Sequence, residues 1–150
     1  MPITLRPAAP TDQPAITALV RAARLNPIRI GWRNFLVAED AGRVVGVGQV
    51  RPHGDGSREL ASLAVAPDHQ GAGTGTQLTW ALLGRETPPT YLFCQEPTAA
   101  FYACFGFRVV ERTELPPTLA RMHWLANLIA AVSAQLTGHR TRIIAMRRDV

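Results

Sequence analysis

The sequence predicts one α/β or α+β layer sandwich built around a mixed sheet. Three observations lead there. Strand-like and helix-like apolar patterns are interleaved along the chain. A meander of strands comes first, and a strand–loop–helix–strand unit follows. The length, 150 residues, is that of one ordinary domain, with enough chain to bury a core without disulfide or metal staples. Residues 1–150 therefore read as a single domain.

Ile3-Thr4-Leu5-Arg6 alternates and is closed by Pro7, a short strand. Thr11-Asp12 offers an N-cap to a helix with Pro14 in its first turn and Ile16, Leu19, Val20 and Ala23 as its apolar stripe. Pro27 and Gly31 break the next stretch into loop or short helix. Phe35–Ala38 and Arg43–Val50 flank the Asp40-Ala41-Gly42 turn as a hairpin. After a second turn at His53–Gly56, Glu59–Val65 is a nearly continuous apolar run, the pattern of a central strand, and Pro67 stops it. Thr76–Leu83 reads as a helix with Leu78, Leu82 and Leu83 inward. Tyr91–Cys94 is a strand, and Thr98–Phe105 a short helix closed by Gly106. A strand over Phe107–Glu111, a helix over Ala120–Thr137 ended by Gly138, and a strand over Arg142–Met146 complete the chain.

Composition narrows the function. The formal charge is +5, and all 16 basic residues are arginine. Without lysine there is neither a Schiff base nor a P-loop lysine. The arginines are scattered, with no tight run before Arg147-Arg148, so a basic surface serving an anionic ligand fits better than a nucleic-acid groove. Cys94 and Cys104 lack C-x-x-C spacing and sit in apolar company; buried free thiols in a reducing, cytoplasmic compartment are expected. Met1–Leu5 does not open a signal peptide, and Met122–Gly138 is short and polar for a membrane span. No membrane or nucleic-acid partner is expected. His53, His123 and His139 have no metal-like spacing, so no metal site is expected, and His69 reads as exposed and incidental.

The informative segment is Gln70-Gly71-Ala72-Gly73-Thr74-Gly75-Thr76, between a buried strand and a helix. Glycines let backbone approach a ligand closely, and the first N–H groups of a helix lack partners and carry positive dipole character. Together they make a receptor for phosphate or diphosphate, and no acidic residue within 70–76 repels it. A Walker loop is excluded by the missing lysine. A dinucleotide fingerprint has Glu96 at a suggestive distance. However, it needs glycine where Thr76 or Leu78 stands, and a tighter turn than Pro67–Gln70 allows.

The stretch from Val65 to Leu78 (VAPDHQGAGTGTQL) resembles the acetyl-CoA signature of the GNAT superfamily of N-acetyltransferases. The pattern Q/R-x-x-G-x-G/A is met by Gln70, Gly73 and Gly75. Downstream, Phe101-Tyr102-x-x-x-Gly106-Phe107 is similar to the family's FYxxxGF segment. The resemblance covers Phe35 to Val110. It implies a GNAT-like, mostly antiparallel sheet of about seven strands flanked by helices, here with an extra helix between the last two strands. It implies acetyl-CoA as donor. The diphosphate would meet backbone N–H groups of Gln70, Gly71, Ala72, Gly73, Thr74, Gly75 and Thr76. The pantetheine arm would pair like an added strand with Leu63, Ala64 and Val65, and Gln95 stands near where many relatives carry Asn.

The chemistry needs an amine that loses a proton and a thiolate that gains one. Glu59 aligns with the carboxylate that many members use as base; a strand-end carboxylate pairing with Arg58 or Arg51 is the plainer alternative. Tyr102 matches the family's tyrosine acid; a core aromatic is its alternative. Direct transfer in a ternary complex is expected, since Cys94 and Cys104 are the only nucleophile candidates. A non-catalytic CoA- or acyl-CoA-binding regulatory module is the rival reading, and it need not keep the Glu59/Tyr102 pair. Arg29, Trp32 and Arg33 form the candidate acceptor site, where arginine beside an aromatic suits a carboxylate-bearing small amine such as an amino acid; surface arginines around a packing Trp32 fit equally. In the Pro116–Arg140 excursion, Met122, Leu125, Ile129, Val132 and Leu136 form one apolar stripe, and Trp124, Leu128 and Ala131 a second. One stripe would cover the domain's own core. The other would serve as a homodimer contact through helix 120–137.

Overall fold

The computed structural model describes residues 2–139 and 142–150. Met1 and Arg140, the outer ends of two stretches named above, lie outside the described residues. Two compact units emerge: residues 1–51 with 60–86, and 52–59 with 87–150.

The first unit holds β1 (Thr4–Pro7), α1 (Gln13–Ala22), β2 (Phe35–Asp40), β3 (Arg43–Pro52, the last residue in the second unit), most of β4 (Arg58–Val65) and α2 (Thr74–Leu83). The strand order is β1-β2-β3-β4. β1 pairs antiparallel with β2 from Thr4↔Glu39 to Pro7↔Leu36, and β2 with β3 from Phe35↔Gln49 to Asp40↔Arg43, with a bulge at Ala38/Glu39. Ile16 and Val20 of α1 pack on Phe35, Val37, Val47 and Ala64. Asp12 does not cap α1. Its carboxylate takes the Ala9 N–H at 2.7 Å and the Arg6 guanidinium at 2.7 Å, which satisfies a buried charge within the preceding turn. Ala23 lies past the helix end and is exposed.

α2 crosses β3 at close range because β3 carries glycines there. A Cβ on Gly46 would sit 3.0 Å from Leu78 Cδ1 and 3.1 Å from Thr74 Cγ2; one on Gly48 would sit 2.9 Å from Leu82 Cδ1. Leu78, Leu82 and Leu83 are buried as predicted. α2 begins at Thr74, so the last three residues of the glycine segment are its first turn rather than loop.

The second unit holds β5 (Thr90–Gln95), α3 (Ala99–Ala103), β6 (Arg108–Val110), α4 (Pro117–Thr137) and β7 (Ile143–Arg148). β7 runs antiparallel to β5 on one side and β6 on the other, with Gln95↔Ile143 and Arg108↔Arg147 in register. Tyr91, Val110, Leu115, Leu119 and Ala145 form the core. Gly138 (φ +74) caps α4 in the left-handed conformation, as expected. α3 stops earlier than expected, at Ala103 with Cys104 as its cap, and left-handed Gly106 (φ +94) follows in the turn beyond it. Among the described residues, seven mostly antiparallel strands and four α-helices realise the predicted class, extra helix included.

The inner face of α4 differs from expectation. Leu119 is fully buried and Met122 packs beside it. Farther along, His123 and Asn127 grip the backbone at the start of β7. His123 Nε2–H donates to Ile143 O at 2.8 Å. Asn127 donates to the same oxygen at 3.2 Å and accepts from Ile143 N at 3.0 Å. Because these amide and imidazole groups must face a strand end, the large apolar residues turn outward. Trp124, Leu125, Leu128, Ile129, Val132 and Leu136 are all exposed, so neither predicted stripe covers the domain beyond Met122.

Candidate active site

The glycine segment is shaped by two left-handed residues. Gly71 (φ +81) and Gly73 (φ +88) alternate with Ala72, and Gly73 is the N-cap of α2. Left- and right-handed residues in alternation turn successive N–H groups toward one concave side, an anion-binding arrangement. The first helical bond runs from Gln77 N to Gly73 O at 3.0 Å, so the amides of 74–76 precede the helix's own ladder. Residues 70–73 and Thr76 are exposed, while Thr74 is buried as the anchor. Gly75 differs from Gly71 and Gly73: it lies in the first turn of α2.

The segment is braced at its start. Gln70 Nε2 donates to Val65 O at 3.0 Å, so its side chain holds the turn against the end of β4. His69 is not incidental. It pairs with Asp40 at 2.8 Å and Asp68 at 3.0 Å, and Arg43 reaches Asp68 at 2.8 Å. The Asp40 hydrogen bond above all raises the His69 pKa, and the Arg43 bond lowers that of Asp68. The β2–β3 hairpin thereby fixes the Pro67–His69 turn.

Just before the segment, β4 is bent. Ser62 adopts φ +57 inside the strand, an uncommon conformation for a residue with a Cβ. Its hydroxyl accepts from Gln49 Nε2 at 3.0 Å and Arg51 at 3.3 Å, side chains that are themselves buried. Leu63, Ala64 and Val65 follow the bend.

In the second unit, Glu59 is buried at 5% exposure. Its carboxylate meets His53, whose Nε2 lies 2.9 Å from Glu59 Oε1. Arg51 reaches Ser62. Tyr102 is half-buried on α3, edge-on to Phe101 and Phe107. Burial, with the Cys94 thiol adding to it, pushes the Tyr102 phenol up to about 12. Gln95 ends β5 and is exposed. Cys94 is half-buried, and burial raises its thiol. Cys104 is exposed, contrary to expectation, because five-residue α3 turns it away from the core.

The Arg29–Arg33 stretch is held by two glutamines. Gln13 donates to Ile30 O at 2.9 Å and accepts from Trp32 N at 2.9 Å, and Gln49 Nε2 donates to Arg29 O at 3.2 Å. Trp32 is half-buried against the core, and Arg33 lies 5.0 Å over its ring. The expected arginine–aromatic pairing is thus Arg33 on Trp32.

The family model for the acetyltransferase (GNAT) domain matches residues 31–109. The chain belongs to the GNAT family. Solved structures of similar fold match over nearly the whole chain. One is N-acetylglutamate synthase from Neisseria gonorrhoeae complexed with coenzyme A and N-acetyl-glutamate: TM-score 0.75, 21% identity, 99% of this chain and 35% of that one. This GNAT chain thus spans about a third of that protein's length. A Mycobacterium tuberculosis protein in complex with CoA matches with TM-score 0.73, 22% identity, 98% of this chain and 99% of that one. The ribosomal-protein-S18-alanine N-acetyltransferase of Escherichia coli matches with TM-score 0.69, 20% identity, 99% and 94%. No curated protein sequence matches.

Four residues of this GNAT chain with structural roles at the site escape sequence reading: His53, Gln13, Gln49 and Ser62. A signal for His53 exists. The His53–Gly56 turn is legible, and His53 N donates to Ser57 O across it. Glu59, two residues past Ser57, then shares a face with His53 as a diagonal neighbour. Among the described residues no group of three or more His, Cys, Asp or Glu could hold a metal, and no helix is long and apolar enough to cross a membrane.

Proposed function

We propose that residues 1–150 form one N-acetyltransferase domain that moves the acetyl group of acetyl-CoA directly onto the primary amine of a small, carboxylate-bearing molecule, an amino acid or close relative. The observation that carries the donor half is the Gly71/Gly73 turn capping α2, whose exposed amides suit a diphosphate. Leu63, Ala64 and Val65 would pair with the pantetheine arm, with Gln95 contributing from the end of β5. Glu59 takes a proton from the ammonium, and the amine nitrogen attacks the thioester carbonyl. The C–S bond breaks, and the thiolate ends as CoA thiol. With Tyr102 near 12 and a thiol near about 8.5, full proton transfer from the phenol is uphill by roughly 5 kcal/mol. Tyr102 therefore assists as a hydrogen-bond donor to the developing thiolate, and the second amine proton completes the thiol.

The acceptor half is supported by Arg33 over Trp32, and by Arg29, on a backbone clamped by Gln13 and Gln49. The two free thiols support a reducing, cytoplasmic setting. Thiol release from acetyl-CoA tests the reading with amino acids and with peptides bearing a free N-terminus. Amino acids should turn over faster. Glu59→Gln should lower kcat roughly 10²- to 10⁴-fold. Arg29→Ala with Arg33→Ala should lower kcat/KM roughly 10- to 100-fold. Peptides outpacing all amino acids would overturn the acceptor class.

We also propose that α4 pairs with a second copy of itself. Its only charge besides histidine is Arg121. A two-fold axis between Leu128 and Ile129 sets Leu125 opposite Val132 and bulky Trp124 opposite Ser133, a self-complementary seam. It also brings Leu136, 83% exposed, against the groove of about 480 Å³ lined by Arg112, Thr113, Ala120, Arg121 and Trp124. Ile129→Glu should halve the mass seen by light scattering; a wild-type monomer at all concentrations removes the proposal.

A further inference from the structure

We propose that His53 is a positioning residue for acetyl transfer, holding the Glu59 carboxylate in the geometry that removes the acceptor's proton; this rests on Glu59 being the base. Three observations converge on it. The His53 and Glu59 side chains are 2% and 7% exposed, and Nε2 stands 2.9 Å from Oε1. A pair this buried is costly unless each group satisfies the other, so the contact fixes both side chains. The turn carrying His53 is itself braced. His53 N donates to Ser57 O and Gly56 N to His53 O, each at 3.0 Å. Asp55 then closes the turn, accepting from Ser57 N at 3.0 Å and Ser57 Oγ at 2.5 Å, and its other oxygen takes the Thr118 N–H at the start of α4 at 3.2 Å. The chain thus spends a turn, a carboxylate and a helix end on holding one imidazole against one carboxylate.

The chemical consequence follows from hydrogen-bond direction. With Glu59 ionised, Nε2–H donates to Oε1 and locks the carboxylate's rotation. The proton leaves the ammonium nitrogen, whose electron pair stays behind for attack, and binds to Glu59; it is released to solvent after transfer. When Glu59 carries that proton on Oε2, Nε2–H goes on donating to Oε1, now the carbonyl oxygen of the acid, so the contact persists. His53 therefore accompanies Glu59 through both states without touching the acceptor.

Steady-state kinetics on acetyl-CoA and the best amine test this with His53→Ala, His53→Gln, His53→Asn and a His53→Ala/Glu59→Gln double variant. Rates are normalised to protein that binds CoA in calorimetry. His53→Ala should lower kcat roughly 10- to 100-fold, the cost of a base held about 1 Å out of place, with KM for acetyl-CoA within twofold. His53→Gln, whose amide reaches the Nε2 position, should recover most of the loss, and shorter His53→Asn should not. The double variant should be no slower than Glu59→Gln alone, since His53 acts through that carboxylate. Equal rates for His53→Gln and His53→Asn, or additive losses in the double variant, overturn the inference. If Glu59→Gln itself keeps wild-type activity, the base assignment fails first; if it is slow while every His53 variant is fast, only the role of His53 fails. Should His53→Ala not fold, the Gln and Asn comparison still decides.

Discussion

The glycines of the 71–75 segment make separable contributions, and replacing each by alanine measures them. Gly71 and Gly73 sit at φ +81 and +88 with nothing within 4 Å of an added Cβ. The substitution therefore meets no neighbour, and its whole cost is left-handed strain, about 1–2 kcal/mol for an L-residue. That cost has two destinations. If the turn holds its shape, Gly73→Ala lowers folding stability by about 1–2 kcal/mol and leaves CoA affinity intact. If the turn relaxes, its amides rotate off the diphosphate, and binding must restore them, which weakens Kd by roughly 5- to 30-fold. The stability loss and the binding loss should therefore sum to about 1–2 kcal/mol, however they are divided. Gly75 is helical, so Gly75→Ala should gain about 0.8–1 kcal/mol of folding stability. Urea unfolding and CoA calorimetry on the three variants give both quantities. A Gly73→Ala protein that matches wild type in stability and in affinity would falsify the claim that this turn is a strained anion cradle.

Further outcomes follow from the same contacts. Gly46→Val should be destabilising by roughly 1–3 kcal/mol through overpacking against Leu78 and Thr74, and should weaken CoA binding because Thr74 opens α2; urea midpoints and calorimetry check it. His69 has a folded pKa raised above its unfolded value by Asp40 and Asp68. Its stabilisation is fully present below the unfolded pKa near about 6.5 and is lost as pH rises through the folded value, so the stability gap between wild type and His69→Gln should shrink across that window in pH-dependent urea melts. Tyr102→Phe should lower kcat roughly 10-fold, equally at every pH from about 6 to 9, because a phenol held near 12 stays protonated throughout; a basic limb near pH 8 that vanishes in the variant would contradict this.

Local chemistry made most of the fold legible. Gly138 stops its helix in the sequence and in space, and each predicted strand has its counterpart within a few residues. The exceptions share a cause: a polar side chain found a distant backbone partner. Periodicity alone sorts α4 into an inner and an outer stripe by apolarity. Asn127 and His123, polar residues on an otherwise apolar helix, set its rotation by bonding Ile143, which lies 16 residues beyond Asn127. A pattern of apolar spacing holds no information about a β-strand end that needs a donor and an acceptor. Asp12 behaves alike, drawn from the helix cap by Arg6.

The site divides along the same line. Its donor half is backbone chemistry, glycine conformation and a helix start, and such features are written contiguously between Val65 and Leu78. The proton-handling half proposed here is a side-chain pair across a turn, where the sequence offers Glu59 the charges of Arg51 and Arg58, and charge gives no hint of His53. The structure places His53 Nε2 at 2.9 Å from Glu59 Oε1. An imidazole Nε2–H can donate to the carboxylate and, once the other oxygen is protonated, to the carbonyl oxygen of the acid. Such a contact suits a carboxylate that gains and loses a proton in every turnover, the part proposed for Glu59, and it is the reason an unexceptional turn residue enters that proposal.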